Sequence, residues 1–245
     1  MKMNLTCVGA VGGLMVAGVA SGGAFQSLTM TTYTGVRASA PTNSVTYRLF
    51  ANVEAGAQVN AAFGNSVGDL EIGTTNGATI YHNANGGPTS TSINNSFFPF
   101  VPSMEWDSYV SIGALYQNGS PFGSNDLFDV GIDFSTWEGG GDLFSDNGSW
   151  FAATDTAQSA EVGGQVFLGQ FTVVGGLGDA NDLIGQVNLQ GEDASGNTWQ
   201  EIGATWNTGS GGSSGGTGGS SAVPGIGAIA PLCFVGLVRK RRRQG

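Results

Sequence analysis

In the stretch SMEWDSYVSIG two carboxylates, Glu105 and Asp107, stand two positions apart. If this segment is a strand that buries Trp106, Val110 and Ile112, both acids project from the opposite face, about 7 Å apart, because alternate residues of a strand share a side. A pair at that separation can divide acid and base work between its members, as inverting glycoside hydrolysis requires. On an exposed strand face the same spacing gives two solvated acids and no chemistry.

The other catalytic devices are few. Gly64-Asn65-Ser66-Val67-Gly68 fits the G-x-S-x-G nucleophile pattern, but in a chain with 43 glycines so short a match arises by chance. The order nucleophile, acid, histidine that accompanies that pattern needs a late histidine, and the single histidine, His82, follows Ser66 closely. The segment therefore reads as a turn, and His82, between Tyr81 and Asn83 at the end of a strand pattern, as a surface or edge residue. One histidine cannot make a multi-histidine zinc centre within one chain. Between positions 25 and 221 there is no lysine and no cysteine, which removes Schiff-base chemistry, a phosphate-loop lysine, thiolate nucleophiles and thiolate metal sites.

Acids are abundant. GSNDLFDVGIDFSTWEGGGDLFSDNGSW carries Asp126, Asp129, Asp133, Glu138, Asp142 and Asp146, and GDANDL carries Asp179 and Asp182 beside Asn181. Carboxylate and carbonyl oxygens on loops are what calcium takes, so calcium is a possible cofactor, with Asp126, Asp129 and Asp142 its first candidate ligands; neither stretch has the spacing of an EF-hand loop. The alternative is an acidic solubilising surface, and no other cofactor is expected. Trp137, Trp150, Trp199 and Trp206 lie in or beside Gly/Asn-rich segments, where an exposed indole could stack on a sugar ring, although tryptophans of sheet proteins more often fill cores.

Net charge is −10, but all 18 acids fall between 25 and 221, where only Arg37 and Arg48 oppose them, so that region stands at −16. A field of that sign repels phosphates, which argues against a nucleic-acid partner and against anionic lipid surfaces.

Both ends differ from the middle. MKMNLTCVGAVGGLMVAGVASGGAF has Lys2, an apolar stretch over 5–19 and then small residues, the layout of a secretory signal peptide over 1–24. Small residues permit cleavage before Phe25 or before Ser21. Residues 208–222 begin TGSGGSSGGTGGSS, a composition that behaves as a coil with a reach of about 20 Å over its first fourteen residues, and this is read as a linker. The last segment, 223–245, has an apolar run to Val238 that as a helix reaches about 24 Å, followed by Arg239, Lys240, Arg241, Arg242 and Arg243. Basic residues there hold a tail on the cytoplasmic side, while a signal peptide sends the middle outward, so the two ends predict one topology.

A small-residue linker, Val223-Pro224-Gly225, a short apolar segment and a terminal arginine cluster resemble the PEP-CTERM sorting signal of bacterial surface proteins. The resemblance covers under a tenth of the chain, and Gly225 and Ile226 stand where the family has Glu and Pro. It implies a membrane sorting peptidase of the exosortase type as partner, a tail initially in the inner membrane, display at the cell envelope and association with extracellular polysaccharide. The plain alternative is an uncleaved tail anchor.

The elements that must position any site lie between, over 25–207. Val45, Tyr47, Leu49, Ala51 and Val53 alternate, as do Phe128, Val130, Ile132 and Phe134, and similar short runs fall at 28–33, 59–63, 70–72, 79–81, 109–115, 166–174, 183–189 and 198–206. Asn76-Gly77, Asn118-Gly119 and Asn147-Gly148 mark tight turns, and no run of ten residues holds a helical period. These features predict an all-β fold, an antiparallel β-sandwich of jelly-roll type in one domain. The function expected is that of an exported, non-catalytic surface protein with a structural or glycan-associated role; the alternatives are a carboxylate-dependent glycan-active enzyme and a calcium-stabilised adhesive module.

Overall fold

The computed structural model describes residues 23–35 and 39–207, so nearly all of the expected signal peptide and the whole linker and tail lie outside the described residues. The strands are Phe25–Tyr33 (β1), Ser44–Val53 (β2), Gln58–Phe63 (β3), Leu70–Thr74 (β4), Thr79–Ile80 (β5), Tyr109–Val110 (β6), Leu127–Val130 (β7), Leu143–Ser145 (β8), Ser149–Ala152 (β9), Gln165–Val174 (β10), Leu183–Glu192 (β11) and Thr198–Asn207 (β12). The one α-helix among the described residues is a single turn, Ser135–Glu138 (α1). The fold is an all-β antiparallel sandwich.

One sheet runs β1-β2-β10, with β5 and β6 pairing farther along β10. In the other, β12 lies along one side of β11 and both β3 and β4 along the opposite side. Phe63 stands opposite Asn188 and Glu71 opposite Gln186, so β3 and β4 are one strand broken by an excursion over 64–69 that faces Val187. The next strand is broken at the same level, with Ser145 of β8 opposite Leu70 and Ser149 of β9 opposite Phe63. The G-x-S-x-G segment, read from the sequence as a turn, is part of this excursion. Asn65 closes it as a turn, its side-chain oxygen accepting from the N–H of Val67 (2.9 Å) and of Gly68 (3.0 Å). Asn188 holds it down by donating to the Gly68 carbonyl (2.5 Å) and accepting from the Gly203 N–H (2.8 Å).

The alternation read in β2 holds: Tyr47, Leu49, Ala51 and Val53 enter the core, and Thr46, Arg48, Phe50 and Asn52 face the other way. The core between the sheets takes Leu70, Ile72, Leu143, Leu168, Leu183 and Leu189, with Trp137, Trp150, Trp199 and Trp206 among them. None of these indoles offers a face to a sugar, because burying so large a ring contributes more than leaving it wet. Asn76 and Gly77 both have positive φ (57° and 75°), as the mirror-image turn between β4 and β5 needs, and this turn carries the chain from one sheet to the other.

The outward face of the first sheet is covered by a cap, residues 81–126, made of short 3-10 turns at Ser90–Ser92, Asn95–Phe97 and Pro102–Trp106. A second apolar cluster of Ile93, Phe98, Met104, Tyr109 and Phe167, flanked by Phe50, Val101, Leu115 and Tyr116, glues cap to sheet. Residues 102–106 are therefore not the strand expected from period two. Pro102 starts a 3-10 turn there, and this turns both candidate acids inward.

Candidate functional site

Glu105 and Asp107 lie in the cap and are both buried. The expectation that they share a solvated strand face is overturned, and they engage different partners. Oε1 of Glu105 accepts from the Tyr33 hydroxyl at 2.7 Å. The Arg48 guanidinium lies 3.7 Å from the centre of the same Tyr33 ring, donates to Oε1 of Gln170 (3.0 Å) and reaches the Tyr116 hydroxyl (3.2 Å). Burial, and then the hydrogen bond to Glu105, push the Tyr33 hydroxyl far above its ordinary pKa. Gln170 completes the group: its Nε2 donates to the backbone carbonyls of Glu105 (2.9 Å) and Asp107 (3.0 Å). Sequence reading missed Tyr33, Arg48, Tyr116 and Gln170, although Arg48, one of only two basic residues between 25 and 221, was a signal in plain view.

Asp107 organises the other side. Oδ1 accepts from the N–H groups of Asn83 (2.7 Å) and Ser108 (3.0 Å), and Oδ2 from that of Gly87 (3.0 Å). A Cβ at Gly86 would run into Oδ2, so only glycine lets the 83–87 loop wrap the carboxyl this closely. Three amide donors favour the charged form, yet removal from water outweighs them and raises the Asp107 pKa to about 7, with the nearby Glu138 charge adding to the rise.

His82 sits between this carboxyl and α1. Its side chain is 7% exposed, against the expected surface position, because Trp137 closes over it edge to face at 4.6 Å. Nδ1 is 3.4 Å from Oε1 of Glu138 and 3.9 Å from Oδ1 of Asp107. Neither ring nitrogen makes a hydrogen bond of normal geometry. Burial lowers the His82 pKa to about 4, with the Ser108 backbone opposing. Glu138, with 34% of its side chain exposed, has its pKa raised by burial. Burial therefore favours the uncharged forms of both His82 and Asp107 in this group. Only Glu138 meets solvent, so the arrangement can store a proton but does not present two carboxylates to a common substrate.

The candidate calcium ligands are not brought together. Asp126 accepts from the Ser124 hydroxyl (2.9 Å) just before β7, Asp129 is exposed on β7 opposite Trp150, and Asp142 precedes β8 against Gly73 of β4. Among the described residues no three His, Cys, Asp or Glu side chains are placed to hold a metal ion. Asp182 is instead a loop organiser, accepting from the N–H groups of Leu177 (3.0 Å), Gly178 (2.7 Å) and Asp179 (3.2 Å). The expected sorting residues, Val223, Pro224, Gly225, Arg239, Lys240, Arg241, Arg242 and Arg243, lie outside the described residues. No described helix is long and apolar enough to cross a membrane. No protein-family model, curated protein or solved structure matches the chain.

Proposed function

We propose that the protein is exported and displayed at the cell envelope as a non-catalytic β-sandwich with a structural or glycan-associated role, held there by its C-terminal segment. The carrying observation is that the acids best suited to chemistry are engaged structurally: Glu105 ties the cap to Tyr33 of β1, and Asp107 is wrapped by amides of the cap's own loop at Asn83, Gly87 and Ser108. What remains is a framework flanked by segments whose composition addresses it to a membrane. The first strand begins at Phe25 and the last ends at Asn207, next to those segments. On this reading the tail 223–245 engages a sorting peptidase and the bilayer, and extracellular polysaccharide is the partner to test.

Intact mass of the protein recovered from its native envelope, with and without detergent, tests this. Loss of the N-terminal segment and of everything after about Pro224 is the result expected for sorting; a full-length tail recovered only with detergent would replace sorting by permanent anchoring. Full-length protein in the soluble intracellular fraction would overturn export.

A further inference from the structure

From 72 to 104 the chain carries no Asp, Glu, Lys or Arg, in a protein with 18 acids. At the tip of this uncharged stretch, in the cap, two rings stand in water: Phe97 is 53% and Phe100 81% exposed. Between them Phe98 is buried edge-on to Tyr116 at 5.4 Å, which anchors the tip to the second apolar cluster. Its backbone is fixed as well: the N–H groups of Phe100 and Val101 both donate to the Phe97 carbonyl (2.8 Å each), and Asn94 caps the turn through the Ser96 N–H (3.0 Å). Several other exposed apolar side chains have an acid beside them. Phe128 and Val130 flank Asp129, Phe144 stands opposite Glu71, and Ile202 follows Glu201.

We propose that the Phe97/Phe100 tip inserts into the headgroup region of a zwitterionic lipid bilayer. Two exposed aromatic rings on a hydrogen-bonded turn, in a stretch of sequence without charged residues, gain from leaving water at that depth, while the acidic remainder disfavours an anionic surface. The inference rests on the envelope reading, in which a linker with a reach of about 20 Å ties Asn207 to a membrane segment. The described chain ends on β12 of the second sheet, where Trp206 stacks on Phe171 across the core at 6.5 Å, one sheet away from the face that Gln170 joins to the cap.

The test uses the full chain with its C-terminal segment, reconstituted in phosphatidylcholine vesicles, with F100W as reporter. The five native tryptophans are buried and report little. Brominated phosphatidylcholine should quench the F100W indole by about twofold and leave a V130W control unchanged. Equal quenching of the two, or none, overturns the proposal. A blue shift at F100W without quenching means that another protein surface covers the tip, and also overturns it. Flotation of the unsubstituted chain with the vesicles is scored separately: a chain that does not float overturns the envelope reading and this one with it, whereas a floating chain with an unquenched F100W indole overturns only the tip insertion.

Discussion

Oε1 of Gln170 accepts from Nε of Arg48 at 3.0 Å, and this orients the amide so that its Nε2 meets the carbonyls of Glu105 and Asp107. One buried side chain thereby joins the cap to the sandwich. Gln170→Ala leaves two buried carbonyls and a guanidinium without this partner, and we expect a loss of about 2–4 kcal/mol. A urea unfolding curve checks this through a lower midpoint; an unchanged midpoint would mean that the second apolar cluster alone secures the cap.

His82 offers a clean titration, since one histidine gives one imidazole signal. Its C2 proton resonance should move with a midpoint near pH 4, not near the usual 6.5, in the folded protein. A midpoint of 6 or above would place the proton on the imidazole and not on Asp107.

The same two groups set opposite dependences of stability on pH. A histidine with a lowered folded pKa stabilises the fold above about 6.5, and that contribution disappears as pH falls through about 4. A carboxyl with a raised folded pKa contributes stability below about 3.8 that is lost as pH rises through about 7. The two trends oppose one another from about pH 4 to 6.5. Asp107→Asn removes the carboxyl trend, so the variant should gain on the parent by a few kcal/mol between pH 4 and 8, although the amide costs it an N–H acceptor at every pH. Parallel stability curves for the two proteins would refute the raised pKa.

At Asn188 the expected effect is local as well as global. Asn188→Ala leaves the Gly203 N–H without this acceptor and the Gly68 carbonyl with only the Asn65 N–H, at a cost of about 1–3 kcal/mol, and loosens the excursion over 64–69. Limited proteolysis should cut the variant near Val67 before the parent is cut anywhere in the sheet.

Ala24 bears on processing. It is 1% exposed in the core, and its carbonyl accepts from the Glu54 N–H at 2.8 Å. Cleavage before Phe25 would discard this buried residue, while cleavage before Ser21 keeps it. N-terminal sequencing of exported protein should read Ser21 first; a chain starting at Phe25 would show that the fold tolerates the loss.

Much of the sandwich was legible because β2, β10, β11 and β12 are long enough for alternation to stand out. β8 and β9, of three and four residues, were too short for any period to register. The cap was misread for a different reason. Its turns use Ser, Asn, Gly and Pro with scattered aromatics, and in 102–107 a strand pattern and a 3-10 turn place the same residues on different faces. Pro102 was the available warning, since proline favours the first position of a helical turn. The burial of His82 was not legible at all, because the ring that covers it, Trp137, comes from a segment more than fifty positions away.

The two central strands, β10 and β11, come late in the chain, and their partners come early. Thr46 and Thr172 share a hydroxyl contact across 126 positions, and Asn188 grips Gly68 across 120. Neither sheet can close until residues 165–192 are present, so a chain made from its N-terminus spends most of its synthesis with unfilled strand edges. Until the final third arrives, those edges are open to pairing with other chains.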